Sequence, residues 1–345
     1  MTGRTKRCIG MVTVAVVLLL LLSACSRTQI PQDTFNAAGP EARKINSLFW
    51  PVFWIAVGVF FLVEGLLVFA MVRFRRRPGA GIPTQVHGNK RLEITWTIIP
   101  LVLLLGVAVP TVRTIFSLSH KPAGALEITV TGHQWWWQVE YPSLTVTTAN
   151  EIHIPVGRPV YVTVTSADVI HSFWIPRLAG KQDLEPGRKN HLIIDASEAG
   201  TYLGQCAEYC GFSHANMRLR VMAQSPTDFQ AWAAAQAQPA ATPASGSMAA
   251  AGMDLFQNGR FAGGQQCTGC HTINGVEGAS GILGPNLTHF ADRTTFAGAT
   301  FANTPEDLDG WLHDPPSLKP GADMPNLGLS QTQIDQLMAY LESLK

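Results

Sequence analysis

The stretch "GQCAEYCGFSHANM", residues 204–217, gathers two cysteines, a glutamate, a histidine and a methionine between Cys206 and Met217. Thiolates, imidazole and thioether are soft-to-borderline donors, and a His/Cys/Met set suits copper in electron transfer. A mononuclear blue-copper loop uses one cysteine. Here Cys206 and Cys210 are separated by three residues, with His214 and Met217 following at short spacing. Two thiolates can bridge two copper ions, and each ion then requires a capping imidazole. His214 is one, and "HSFWIP" at 171–176 offers His171 at a strand edge as the other. Zinc and a plain disulfide are the competing readings of this loop.

A second constellation is simpler. "CTGCH" at 267–271 is the C-x-x-C-H pattern of covalent haem attachment, with Cys267 and Cys270 bonding the vinyl groups and His271 ligating iron. The chain has six cysteines. Cys8 lies in the export signal and Cys25 at its end, so the four in close pairs beside histidines leave none for structural disulfides.

These sites need elements to hold them. The chain has 345 residues and a formal net charge of +1, which gives no case for nucleic acid as a partner. Residues 1–24 read as an export signal: Arg4, Lys6 and Arg7, then the apolar run from Ile9 to Leu22. "LSAC" at 22–25 resembles a bacterial lipobox, which would make Cys25 the lipidated first mature residue. A plain secretory signal is the other reading, and both export the chain. After a segment at 25–47, a transmembrane hairpin is expected over 48–120, with helices at about 48–72 and 96–118, each long enough to cross a bilayer. "RFRRR" between them sets that connection in the cytoplasm, leaving both mature ends outside. Pro100 and Pro110 in the second helix point to a covering membrane partner.

From 121 to 224 short alternating segments such as "LEITVTG" and "PVYVTVTS" predict an all-β Greek-key sandwich or barrel. Residues 225–252 have the Ala/Pro/Ser composition of a linker. The block 253–345 reads as a small all-α domain on a flexible tether. Thr304-Pro305-Glu306 and the Ser330/Gln333 pair supply its helix starts.

With these motifs in view, residues about 45–225 resemble subunit II of a haem–copper cytochrome c oxidase. "GHQWWWQVEY" at 132–141 and "KQDLEPGR" at 181–188 extend the likeness beyond the cysteine loop. The resemblance implies a cupredoxin-like domain with a dinuclear CuA centre. Its ligands would be His171, Cys206, the Glu208 carbonyl, Cys210, His214 and Met217. The last block resembles a class I cytochrome c, which implies Met324 of "GADMPN" as sixth iron ligand, with Met338 the competitor. It also implies that the carbonyl of Pro285 in "GPNL" accepts the His271 ring N–H. Nearly the whole mature chain then resembles the caa3-type version of the subunit.

The likeness also implies Trp135 as the exposed point where electrons enter the copper, with Trp136 departing from the family's usual tyrosine. It implies Glu93 at the entrance of a proton channel, and a carboxylate role for Glu208 at a magnesium ion facing subunit I. The expected setting is a bacterial cytoplasmic membrane, with copper and haem domains on the periplasmic side. Expected partners are subunit I, subunit III, membrane lipid, and cytochrome c or an upstream respiratory complex as donor. Asp168, Asp183 and Glu64 receive no role, and the remaining histidines read as surface or core. A membrane-anchored cupredoxin–cytochrome carrier free of any oxidase is the alternative. A quinol-oxidase subunit is disfavoured by the intact copper ligands.

Overall fold

The computed structural model describes residues 16–17 and 31–345, except 77, 80, 83 and 86. The export signal and Cys25 therefore lie outside the described residues.

Two helices long and apolar enough to cross a membrane, α1 (Pro40–Arg73) and α2 (Lys90–Ser119), pack as a hairpin. Both start earlier than expected, at 40 rather than 48 and at 90 rather than 96. Pro40 sits in the first turn, where its missing N–H costs nothing. The opening of α1 is held by the β domain: the Ala42 N–H donates to the Leu178 carbonyl at 3.2 Å, and Arg43 donates to the Ser197 hydroxyl at 2.8 Å. At about 1.5 Å per residue α1 runs roughly 51 Å, well beyond an apolar core of about 30 Å. The excess carries the helix out of the bilayer onto that domain. The Asn89 side chain caps α2 by accepting from Arg91 and Leu92, and Glu93 accepts from the Asn89 N–H at 3.2 Å.

The β domain is the expected cupredoxin-like sandwich. Its strands are β1 (Leu126–His133), β2 (Trp136–Tyr141), β3 (Val146–Ala149), β4 (Glu151–Pro155), β5 (Val160–Ser166), β6 (His171–Trp174), β7 (Gln182–Leu184), β8 (Asn190–Ile194), β9 (Gly200–Cys206) and β10 (Arg218–Gln224). One sheet runs β3-β2-β1-β5-β8, the other β4-β10-β9-β6-β7, with parallel pairs β1/β5 and β4/β10. In β1, Leu126, Ile128 and Val130 face the core, and β5 follows the same alternation with Val160, Val162 and Val164. This period of two gives each strand one apolar face. The register leaves β6 and β9 adjacent, pairing Phe173 with Cys206. That adjacency brings His171 to the cysteine loop.

The segment 225–252 is not a linker throughout. It contains α3 (Pro226–Gln236) and the first turns of α4 (Met248–Asn258), leaving only 237–247 without helix. Alanine-rich sequence is also good helix former, and Ser225 and Ser247 each cap an N-terminus. Phe229 of α3 is buried in the sandwich, and the Trp232 ring stacks on His153 with centroids 4.2 Å apart.

The last domain is helical, with α5 (Cys267–Cys270), α6 (Pro305–His313), α7 (Pro315–Leu318), α8 (Gln331–Leu341) and a two-residue hairpin β11 (Thr295–Phe296)–β12 (Phe301–Ala302). Thr304 caps α6 and Ser330 with Gln333 forms a capping box on α8. Phe256 of α4 packs edge-on against Tyr340 of α8. This domain does not hang free, as the tether reading expected. The buried Glu151 carboxylate accepts from the Thr294 N–H at 3.0 Å, the Thr294 hydroxyl at 2.6 Å and the Thr295 hydroxyl at 2.8 Å. The Arg218 N–H donates to the Gly298 carbonyl at 2.9 Å, and Thr300 donates to the Asn216 carbonyl. A buried carboxylate is costly unless fully hydrogen-bonded, so Glu151 needs the docked threonines.

Phe229→Ala is expected to release α3 from the sandwich at a cost of about 3 kcal/mol, near a hundredfold more local opening. Limited proteolysis across 226–247 should accelerate accordingly, and an unchanged cleavage rate would show that α3 is held some other way.

Candidate metal centre and haem cavity

Cys206 ends β9 and the next eleven residues form the loop to β10, closed at its base where the Cys206 N–H donates to the Met217 carbonyl at 2.9 Å. The Ala207 N–H donates to the Ser172 carbonyl, tying the loop to β6. Within this frame the sulfurs of Cys206 and Cys210 lie 3.8 Å apart, too far for a disulfide, whose S–S bond is about 2.05 Å. Cys206 Sγ is 3.9 Å from His171 Nδ1 and 3.2 Å from the Glu208 carbonyl. Cys210 Sγ is 3.6 Å from His214 Nδ1 and 3.8 Å from Met217 Sδ. Each sulfur thus has one imidazole and one weaker donor. His171 and Met217 are fully buried, both cysteines nearly so, and His214 half-buried.

The electrostatics favour one thiolate of the pair: the facing Cys206 and burial push the Cys210 thiol well above the usual range. The facing Cys210 thiol holds Cys206 far below the usual thiol range, against the opposing effect of burial, with the His171 ring and loop backbone adding to it. For His171, burial pulls the ring down, but Asp168 and Cys206 outweigh it and the net push is upward. Asp168 shows the converse: burial pushes it up, and hydrogen bonds from His171 and from the Gln134 and Val169 N–H groups bring it below the usual carboxylate range. The Asp168 Oδ1–His171 Nε2 contact of 2.8 Å turns Nδ1 toward the sulfurs, as outer carboxylates do for metal-ligating histidines. Two soft sulfurs, two imidazoles and a thioether in a buried pocket fit copper.

The sequence left Asp168 without a role. Its only local signal is the spacing of three residues before His171. The Glu208 side chain is exposed while its carbonyl faces Cys206. Asp183 accepts from the Ser172 hydroxyl at 2.6 Å.

The three tryptophans part ways. Trp137 is core, edge-on to both His171 and Phe173. Trp136 stacks on His133 with centroids 4.3 Å apart. The Trp135 indole N–H donates to the Cys210 carbonyl at 3.0 Å, beside Gln134, which donates to the same oxygen at 2.7 Å. Trp135 was expected to be exposed, yet it is 8% exposed because the helical domain covers it. The Gly321 backbone lies against the outer edge of the indole, where a Cβ would come within 3.0 Å.

That covering surface is one wall of a mostly apolar cavity of about 330 Å³. Cys267, Cys270, His271 and Met324 line it from the helical domain, and Trp135 and Trp136 from the sandwich. His271 Nδ1 donates to the Pro285 carbonyl at 2.8 Å, and burial pushes the ring's pKa down, keeping it neutral as an iron ligand must be. Gly284 passes so close over this ring that a Cβ would come within 2.5 Å of it. Met338 does not line the cavity and packs instead against the core around Ile334 and Leu337. Two thiols, a neutral imidazole and a thioether around an apolar space fit a covalent haem. Glu93 belongs to neither site. It starts α2, at the far end of the hairpin from the sandwich.

Comparison with known proteins agrees along the chain. Three family profiles match: cytochrome c oxidase subunit II, transmembrane domain, over residues 26–114; cytochrome c oxidase subunit II, periplasmic domain, over 143–224; and cytochrome c over 249–345. A cytochrome c oxidase subunit 2 from Alkalihalophilus pseudofirmus is 37% identical over 337 residues, covering 95% of each chain. One from Bacillus subtilis is 35% identical over 347 residues, covering 94% of this chain and 95% of the relative. The crystal structure of the periplasmic domain of cytochrome oxidase subunit II from Bradyrhizobium japonicum shares 33% identity, covering 33% of this chain and 95% of that one, with a TM-score of 0.33.

Asp168→Asn is expected to keep the fold but lower copper affinity about 10- to 100-fold, the range for losing an outer-shell partner. Competitive titration with a copper chelator measures this, and unchanged affinity would remove Asp168 from the site.

Proposed function

The chain belongs to the cytochrome c oxidase subunit II family, and from that premise we propose that it is the electron-input subunit of a terminal respiratory oxidase. In this reading it takes electrons on a covalent haem c and delivers them through a dinuclear copper centre to subunit I, where oxygen is reduced to water with proton translocation. The observation that carries it is the paired geometry of the loop: two sulfurs 3.8 Å apart, each with its own imidazole and weak donor. When bound, the two groups supply one-electron carriers.

The residues divide the work. Cys206, Cys210, His171, His214, Met217 and the Glu208 carbonyl would together hold the copper. Spreading one charge over two thiolate-bridged ions keeps geometric change on oxidation small, and the hydrogen-bonded loop resists what remains. Cys267 and Cys270 would anchor the haem, and His271 and Met324 would hold its iron. Met/His ligation raises the reduction potential and suits electron transfer. The Trp135 indole, bonded to the Cys210 carbonyl and facing the haem cavity, is the bridge between the two sites. The exposed Glu208 carboxylate is free to hold magnesium against subunit I, since a hard oxygen donor suits that ion. Glu93 would stand at a proton entrance on the cytoplasmic side. The copper and haem domains would face the periplasm of a bacterial cell membrane, with Cys25 carrying lipid. The partners would be subunits I and III and a donor cytochrome c or respiratory complex.

Two measurements test this. Co-purification of a haem-containing partner subunit is expected, and a chain that purifies alone from its native membrane with both cofactors would mark a free carrier. Met324→Ala is expected to lower the haem potential and open the iron to carbon monoxide, while Met338→Ala leaves both unchanged. The reverse pattern would move the sixth ligand to Met338.

A further inference from the structure

One buried cation lines the haem cavity without being a ligand in either site. Lys319 follows α7 and is 4% exposed. Its Nζ donates to the Trp135 carbonyl at 2.7 Å, in the sandwich, and to the Ala297 carbonyl at 2.9 Å, in the haem domain. Burial pushes this ammonium down to about 7, with Cys210 and Asp323 the negative groups opposing that. A buried ammonium is tolerated only when its donors are satisfied. Here one acceptor comes from each domain, so docking, which takes the ammonium out of water, also supplies the carbonyl that replaces it. Such a group specifies one seating among several rather than adding net adhesion.

The surroundings fit that role. Gly298 passes so near that a Cβ there would come within 2.7 Å of Lys319 Nζ and 2.8 Å of the Trp135 carbonyl. The next residue, Pro320, gives its carbonyl to the hydroxyl of Ser213, which is buried beside His214. Gly321 then lies against the Trp135 indole, and Met324 follows in the same turn of chain. The segment 319–324 is thus pinned to the copper domain at its start and carries the haem-cavity methionine at its end.

We propose that Lys319 is a positioning residue for electron transfer within the chain: it latches the segment bearing Met324 onto Trp135 and so fixes the haem cavity against the copper loop. This rests on the electron-input reading given above. The partner recognised is the backbone of the chain's own copper domain, read through one carbonyl.

The test uses the full-length protein with haem and copper loaded, comparing wild type, Lys319→Met and Lys319→Gln. Haem c is reduced by an added photosensitiser with a sacrificial electron donor under a light pulse and its reoxidation by copper followed, while hydrogen exchange reports protection of amides at 297–298, 319 and 321–323. Lys319→Met is expected to slow reoxidation about tenfold or more, the scale on which small displacements act on positioned reactants. It should also raise exchange at those amides with the haem and copper spectra unchanged. Lys319→Gln, which keeps N–H donors, should recover part of both. Wild-type rate and protection in Lys319→Met would overturn the latch. Absence of haem-to-copper transfer in wild type would instead defeat the electron-input reading, leaving the exchange comparison to judge the docking. If Lys319→Met loses either spectrum, Gly298→Ala decides: slowing and deprotection support the latch, and wild-type behaviour overturns it.

Discussion

Two sulfurs held in contact without bonding are the constraint on which the rest of this structure depends. Left to themselves in an oxidising compartment, neighbouring thiols tend toward a disulfide. The sandwich fixes Cys206 at the end of β9 and carries Cys210 on a loop closed at Met217 and tied to Ser172, where the two sulfurs stand 3.8 Å apart. The first proton is lost readily because the partner thiol donates to the resulting thiolate. Losing the second places two negative charges 3.8 Å apart in a buried pocket, a state that only bound cations make favourable. Metal binding and loop geometry are therefore coupled, and the surrounding strands exist to keep that geometry fixed.

From this follows the placement of everything else. Adjacent β6 brings His171, and Asp168 turns its ring. The outer side of the loop offers the Cys210 carbonyl to Trp135, and the haem domain closes over that tryptophan with a wall of its own cavity. The membrane hairpin contributes by anchorage: the start of α1 is bonded directly to the sandwich. Electron transfer between fixed sites needs little motion, and the dense polar contacts around Glu151 and Gly298 supply that rigidity.

Much of this was legible in the sequence, where the signal is local. The copper-loop donors fall within residues 206–217 and the haem motif within five residues, so spacing alone marks the haem motif, while the loop stays open to zinc or a disulfide until the family resemblance is added. The sandwich and the helical domain were readable from periodicity and caps, the Ser330/Gln333 box among them. What escaped depends on tertiary neighbours. An aspartate three residues before a histidine is too common to signal a partner, and Lys319 meets Trp135 across 184 positions. Alanine-rich sequence fits both linker and helix, and what decides for helix in 225–252 is the packing of Phe229 and Trp232 on the sandwich, which sequence alone does not carry. Trp135 looked exposed because only the docked domain buries it.

The most direct test of the paired-sulfur centre is copper content together with electron paramagnetic resonance on the full-length, metal-loaded protein. Two coppers per chain sharing one unpaired electron, with the signal lost in Cys210→Ser, is the expected result. One copper per chain with a mononuclear spectrum would contradict it, leaving the second sulfur without a metal to bridge.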